Sequence, residues 1–459
     1  MTLDDILKAT GGRTLTSGPV SFSRLSTDSR SVGVGELFVP LVGARFDGHV
    51  FIKECFEKGA AGALCQKGKK VSPVDGRTLV EVDDTLRALQ DIAHYIRKRR
   101  TDLLVVGVTG TNGKTTTKEM LASVLSVRGP VLRNTGNLNN EIGLPLTLME
   151  LKDEHWAAVL EMGMSGFGEI ARLAEIAEPH VGVITNVGPA HIENLGSLDG
   201  IAKAKGELIA ALPAEGKAVL NLDDPRLQGF VAENRERAVT FGLRPGANVT
   251  ADEVDETLRG VSFRLITPGG SAHVTLPVMG AHNVYNALAA AAAAWSMGLS
   301  VDEIKEGLER FSPVKMRMEL VEVAGALVIN DAYNANPASM AAALTALASI
   351  KDGRRVAVLG DMLELGDAAG KAHYDTGRLA GSEGLALLVL VGERAEDTAR
   401  GAVEAGMAEE NIVVASSREE AASVLSGKLR PGDHVLVKGS RGMKMEKVIE
   451  LLRAGRVLS

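Results

Sequence analysis

The sequence predicts an α/β protein of three domains: a small N-terminal α/β domain, a central domain with a mostly parallel sheet, and a C-terminal doubly wound domain. Three observations carry this. A chain of 459 residues is longer than one hydrophobic core serves, and 45% apolar with 24% charged residues is the composition of a folded globular chain. Short β-branched runs alternate with helix-length segments, as in strands joined by crossover helices. Residues 103–120, LLVVGVTGTNGKTTTKEM, read as a buried strand, a glycine turn and a helix. The domains are expected at residues 1–83, 84–313 and 314–459.

In the first unit, residues 36–42 and 60–65 read as short strands around a helix at 51–58. Its polar turns are Asp28-Ser29-Arg30 and Asp47-Gly48-His49. Turn residues and helix caps account for such clusters as readily as a site does. A loop-borne Arg30 fork is nevertheless suited to a diphosphate or carboxylate. Asp84 and its neighbours cap a helix over 86–99, and the basic run 97–100 reads as a dipole-complementing last turn and linker.

The second unit opens on the glycine turn Gly110-Thr111-Asn112-Gly113-Lys114-Thr115-Thr116. Such a loop turns backbone N–H groups around an anion, and the helix N-terminus adds about half a positive charge. Lys114 is placed to reach outer phosphates, and Thr115 or Thr116 to offer a hydroxyl to Mg²⁺. Only two residues separate Gly110 from Gly113, and Val108 stands where the longer phosphate-loop spacing wants its first glycine. Residues 134–140 then hold four asparagines, including Asn137 and Asn139. Strands at 156–160 and 181–186 lead to Glu161 and His191 at the sheet edge where ligands sit, and together they suit a metal beside a phosphate site. Lys203 and Lys205 lie on a helix whose default is a solvated face. Asn283 and Asn286 open an alanine-rich helix and are suited to a base or ribose.

In the third unit Arg317 lies just past the boundary, where a closing domain would bring it onto phosphate. A strand at 328–331 leads into the polar loop Asp331-Ala332-Tyr333-Asn334-Ala335-Asn336. Further parallel-type strands are expected at 356–362, 387–391 and 434–438. No GxGxxG follows the first of them, so a dinucleotide is not indicated. The loop Lys438-Gly439-Ser440-Arg441 is cationic and suited to a carboxylate.

A net charge of −7 without a Lys/Arg stripe argues against nucleic acid. Cys55 and Cys65, without metal spacing, read as buried thiols of a reducing compartment. The N-terminus is unlike a signal peptide and no apolar run spans a bilayer, so a cytoplasmic protein without membrane insertion is expected.

TGTNGKTT, LEMG around Glu161, NVGPAHIE, the AK helix and GAHNVYN, in this order, resemble the Mur ligase family over nearly the whole chain. STDSR, FDGH, INDAYNANPASM and LVKGSRG resemble its subgroup that adds D-alanyl-D-alanine. The resemblance implies a UDP-sugar-binding N-terminal domain, a P-loop-type ATP domain and a Rossmann-like C-terminal domain that binds the dipeptide. It implies a monomer that uses ATP and Mg²⁺ to join D-Ala-D-Ala to UDP-MurNAc-tripeptide through an acyl phosphate. By that resemblance Lys114, His191, Lys205 and Arg317 are catalytic, with Lys205 carbamylated. Thr115, Glu161 and His191 would hold the metal, and Asn283, Asn286 and Asp331 adenosine. Ser29, Arg30, Asn137, Asn139, Tyr333, Asn336, Lys438 and Ser440 would hold the substrates. A folate polyglutamylating ligase shares the central machinery, and a phosphate-loop switch shares the loop; both leave the first domain's motifs without a task.

Overall fold

The computed structural model describes residues 1–43, 46–189 and 192–455. Four sheets organise them. The first unit carries five strands in the order Arg13–Thr16, Thr78–Val82, Gly62–Gln66, Leu37–Phe38, Leu25–Ser26, antiparallel only at the first pair. The expected helix at 51–58 forms as a 3₁₀ turn, Gly48–Phe51, continuing into Ile52–Glu57.

The central sheet is wholly parallel, in the order Ala238–Phe241, Lys217–Asn221, Val181–Ile184, Leu104–Thr109, Ala157–Glu161, Val131–Arg133. Its strands are buried on both faces, which is why they read as continuous apolar runs. The alanine-rich helix His282–Ser296 packs on the phosphate-loop helix Lys114–Leu125. Residues 287–294 are all buried, so small side chains permit a close helix–helix approach.

An antiparallel three-stranded sheet, Thr250–Thr257, Gly260–Thr267 and Gly270–Leu276, follows the central sheet and was not expected. The third unit has six strands in the order Glu319–Val323, Ala326–Asp331, His434–Lys438, Arg355–Gly360, Leu387–Val391, Ile412–Ala415. It is doubly wound as expected, but its first strand is an antiparallel edge.

The helix Thr85–Lys98 joins the first two units more tightly than a linker would. Ala88, Leu89 and Ile92 bury into the first core, and Ala93 into a central one. The basic run is corrected by its first member. Arg97 is buried and donates from Nε to Ala177 O at 2.9 Å and from Nη2 to Glu178 O at 3.1 Å, capping the end of helix Glu169–Ala177. No helix among the described residues is long and apolar enough to cross a membrane.

Candidate active site

Gly113 stands at φ +80° immediately before helix Lys114–Leu125, so the loop turns there in a conformation that favours glycine. A Cβ on Gly113 would lie 2.1 Å from Asn286 Oδ1, and one on Gly110 would lie 1.9 Å from Thr185 Oγ1. The loop is held from the neighbouring strand end. Thr185 Oγ1 and Asn186 Nδ2 both donate to Asn112 O, at 2.6 and 3.0 Å, and Asn112 N donates to Asn186 Oδ1 at 2.9 Å.

Lys114 Nζ donates to Gly110 O and Thr111 O, at 2.8 and 3.0 Å, inside its own loop. Burial pushes its pKa down; Glu161 opposes that shift and Arg317 adds to it. Thr115 Oγ1 donates to Glu161 Oε2 at 2.8 Å and accepts from Arg317 Nη2 at 2.9 Å. Asn139 Nδ2 donates to the other carboxylate oxygen at 2.8 Å. Hydroxyl, carboxylate and guanidinium from three distant segments therefore meet on one spot.

Several groups that hold this spot escaped the sequence reading. Asn134 clamps Glu161 on both backbone sides, accepting from Glu161 N and donating to Glu161 O, each at 2.9 Å. Buried Lys118, one helical turn beyond Lys114, donates to Asn134 O and pairs with Glu119 at 2.9 Å. The spacing of Lys114 and Lys118 at i and i+4 was the available signal, since it puts both on one helix face.

The third unit contributes more than Arg317. Asn336 Nδ2 donates to Asn112 Oδ1 at 2.7 Å, and Asn336 also caps helix Pro337–Ala348. Buried Lys438 pairs with Asp331 Oδ2 at 2.5 Å and donates to Asn334 O at 3.0 Å. Asp331 Oδ1 accepts from Met318 N at 3.2 Å, so this carboxylate braces the third unit's own turn. The resulting cleft of about 950 Å³ is lined by both units, among them Asn137, Asn139, Asn283, Asn286, Tyr333 and Lys438.

Two expectations change. Ser440 is buried, donates to Ala335 O at 3.2 Å and accepts from Leu363 N at 2.9 Å, so backbone groups occupy its hydroxyl. Ser29 and Arg30 lie on the first unit, outside this cleft, as a separate diphosphate role would have them; Arg30 is exposed and paired with Asp28 at 2.7 Å. Lys205 is buried rather than solvated, because helix Leu198–Ala210 turns that face onto the central sheet. His191 lies outside the described residues. The Asp47-Gly48-His49 turn is a structural bracket: Asp47 takes His49 Nδ1 at 2.5 Å and Lys69 Nζ at 2.6 Å, and His49 Nε2 accepts from Gln66 N.

The sequence matches the Mur ligase middle domain over residues 108–294. It matches the domain described as Mur ligase, glutamate ligase domain over 316–441, and Mur ligase family, catalytic domain over 21–97. A UDP-N-acetylmuramoyl-tripeptide–D-alanyl-D-alanine ligase of Bacillus subtilis is 37% identical over 93% of this chain and 92% of its own. The chain belongs to the Mur ligase family. The crystal structure of MurF from Acinetobacter baumannii superposes with a TM-score of 0.90 at 35% identity, covering 99% of this chain and 98% of that one. The Thermotoga maritima MurF ligase in complex with ADP superposes at 0.83 with 30% identity, covering 94% and 97%. The Mur ligase matches span all three units, so the first and third domains are part of the family architecture.

Proposed function

We infer that this chain is an ATP-dependent, ADP-forming ligase that adds D-alanyl-D-alanine to UDP-N-acetylmuramoyl-tripeptide in peptidoglycan precursor synthesis. The observation that carries the reading is the Arg317–Thr115–Glu161 junction, where the third unit completes the phosphate loop of the second. A site split between two domains suits a reaction that must bring a nucleotide and two further reactants together. The named activity of the Bacillus subtilis relative and the ADP complex of the Thermotoga maritima structure agree with it. We place the reaction in the cytoplasm.

The tripeptide carboxylate attacks the γ-phosphate, forming an acyl phosphate and releasing ADP. The dipeptide amine then displaces phosphate through a tetrahedral intermediate and loses its proton. Phosphoryl transfer between anions needs positioning and charge neutralisation more than a protein nucleophile. Lys114 and Arg317 supply positive charge from opposite domains. Thr115 and Glu161 present the oxygen donors that a hard cation prefers, and they fit Mg²⁺. Bound there with help from His191, Mg²⁺ would neutralise phosphate charge. Asn283 and Asn286, linked at 2.9 Å and set at the loop's edge, and Asp331 in the lining of the same cleft are the adenosine residues of this reading. Ser29 and Arg30 serve the uridine diphosphate on the first domain.

Lys205 completes the proposal as a carbamate. Its pKa lies well below the ordinary lysine value because of burial first and the Lys114 charge second. The ammonium first gives up a proton, and the resulting neutral amine adds CO₂ and loses a second, so that an anion replaces a repelled cation beside Lys114.

Phosphate release with ATP, the nucleotide tripeptide and D-Ala-D-Ala tests the function. Turnover is expected only with both acceptors present. Rapid ATP hydrolysis indifferent to both would overturn the ligase reading in favour of a switch.

A further inference from the structure

The turn that carries Arg317 is pinned on every side. Met316 and Met318, flanking it, both stand in the left-handed region, at φ +60° and +52°. Neither is glycine, so the surrounding contacts must hold a conformation that L side chains resist. Those contacts are present. Met316 N donates to Glu319 Oε2 at 3.0 Å, Arg317 N to Val314 O at 3.1 Å, and Met318 N to Asp331 Oδ1 at 3.2 Å. Tyr333 N donates to Met316 O at 3.1 Å, tying the tyrosine's backbone to the same turn.

The guanidinium is supported differently. Its carbon lies 4.1 Å from the centroid of the Tyr333 ring, and Nη2 reaches Thr115. Nε is buried and has no hydrogen-bond partner among the described residues. A ring face attracts the cation without consuming its N–H donors, whereas a carboxylate would occupy them. Donors left free at the phosphate loop are what an incoming phosphate oxygen requires.

We propose that Tyr333 is a positioning residue: its ring face, rather than its hydroxyl, serves turnover by holding the Arg317 guanidinium over the phosphate loop. This rests on the ligase reading above. It replaces the expectation that Tyr333 binds substrate directly. The strained turn fixes the backbone and the aromatic face fixes the side chain, so the charge arrives preorganised.

Steady-state kinetics of the full-length enzyme test it, with thermal unfolding as a control. Tyr333→Phe keeps the ring face and is expected to retain kcat and the KM for D-Ala-D-Ala within about 2-fold. Tyr333→Leu is expected to lower kcat roughly 10-fold, the scale of a partly desolvated cation–π contact, with the dipeptide KM unchanged. In an Arg317→Ala background, Tyr333→Leu should cost nothing further, because the two act as one unit. A tenfold rise in the dipeptide KM for Tyr333→Phe at unchanged kcat would overturn the proposal. Independent, multiplying losses in the double variant would also overturn it. In either case both acceptors would still be required for turnover, leaving the ligase reading intact. The Phe variant decides the question even if the Leu variant fails to fold.

Discussion

Asn112 and Asn336 stand 224 positions apart in sequence, yet the Asn336 carboxamide donates to Asn112 Oδ1 at 2.7 Å. One belongs to the phosphate loop and the other to the third unit's polar loop, so the contact couples nucleotide site and domain position. Asn336 also accepts from Ser339 N at 2.9 Å as a helix cap. Asn336→Ala removes both interactions and should cost about 1–2 kcal/mol, most of it from the cap. The change is measurable as a lowered denaturant midpoint with unchanged slope. The kinetic loss should fall on kcat, since closure rather than first binding is impaired. Parental stability and turnover would show that the pair contributes nothing.

Lys114→Ala removes a charge aimed at the transferring phosphoryl group. Losses of this electrostatic kind run to about 10²–10³ in rate. Glu161→Gln keeps the shape but removes the anion that Thr115 and Asn139 contact, so the Mg²⁺ concentration needed for half-maximal rate should rise. Direct Mn²⁺ titration of the nucleotide complex reads the same loss without turnover. Near-parental behaviour of both variants at limiting metal would misplace the site.

Gly113→Ala tests the loop backbone. Its φ of +80° and the 2.1 Å approach of Asn286 Oδ1 to a Cβ oppose any side chain. The strain alone costs about 1–2 kcal/mol. Displacement of Asn286 should weaken adenine-nucleotide binding more than tenfold by calorimetry. Unchanged affinity would mean that Asn286 does not face the nucleotide.

Lys205 gives a stability signature with a definite sign. Its folded pKa is depressed, so between that value and the ordinary lysine value the unfolded chain holds more protons than the folded one. Stability should therefore rise with pH across that window, and the burial penalty is fully present below it. Lys205→Met should be more stable than the parent near neutrality and lack the alkaline rise. Bicarbonate should raise the parental melting temperature and leave Lys205→Met unmoved if the carbamate forms. A bicarbonate-insensitive parent would remove the carbamate from the proposal.

The strand–loop–helix at Gly110–Gly113, Glu161 at its strand end and the alanine helix were all legible, because each is fixed by a local period or a local backbone demand. Less legible was the antiparallel excursion over residues 250–276, whose alternating polar and apolar residues fit an edge of a larger sheet as well as a separate three-stranded one. The edge strand Glu319–Val323 was missed for a related reason: direction of pairing is a property of two segments, and neither carries it alone.

By itself the sequence determined three α/β units, a shortened phosphate loop, and the residue types that serve charge transfer. Tertiary structure decided who meets whom. Arg97 and Lys205 look like surface cations in one dimension, and packing buried both. Ser440 looked like a ligand group until Ala335 and Leu363 claimed it. Arg317 and Thr115 are 202 residues apart, and no local pattern encodes their 2.9 Å contact. Periodicity and turn chemistry act over a few residues, so they specify elements. Burial and hydrogen bonding between distant segments depend on how those elements dock, and that is where this site is made.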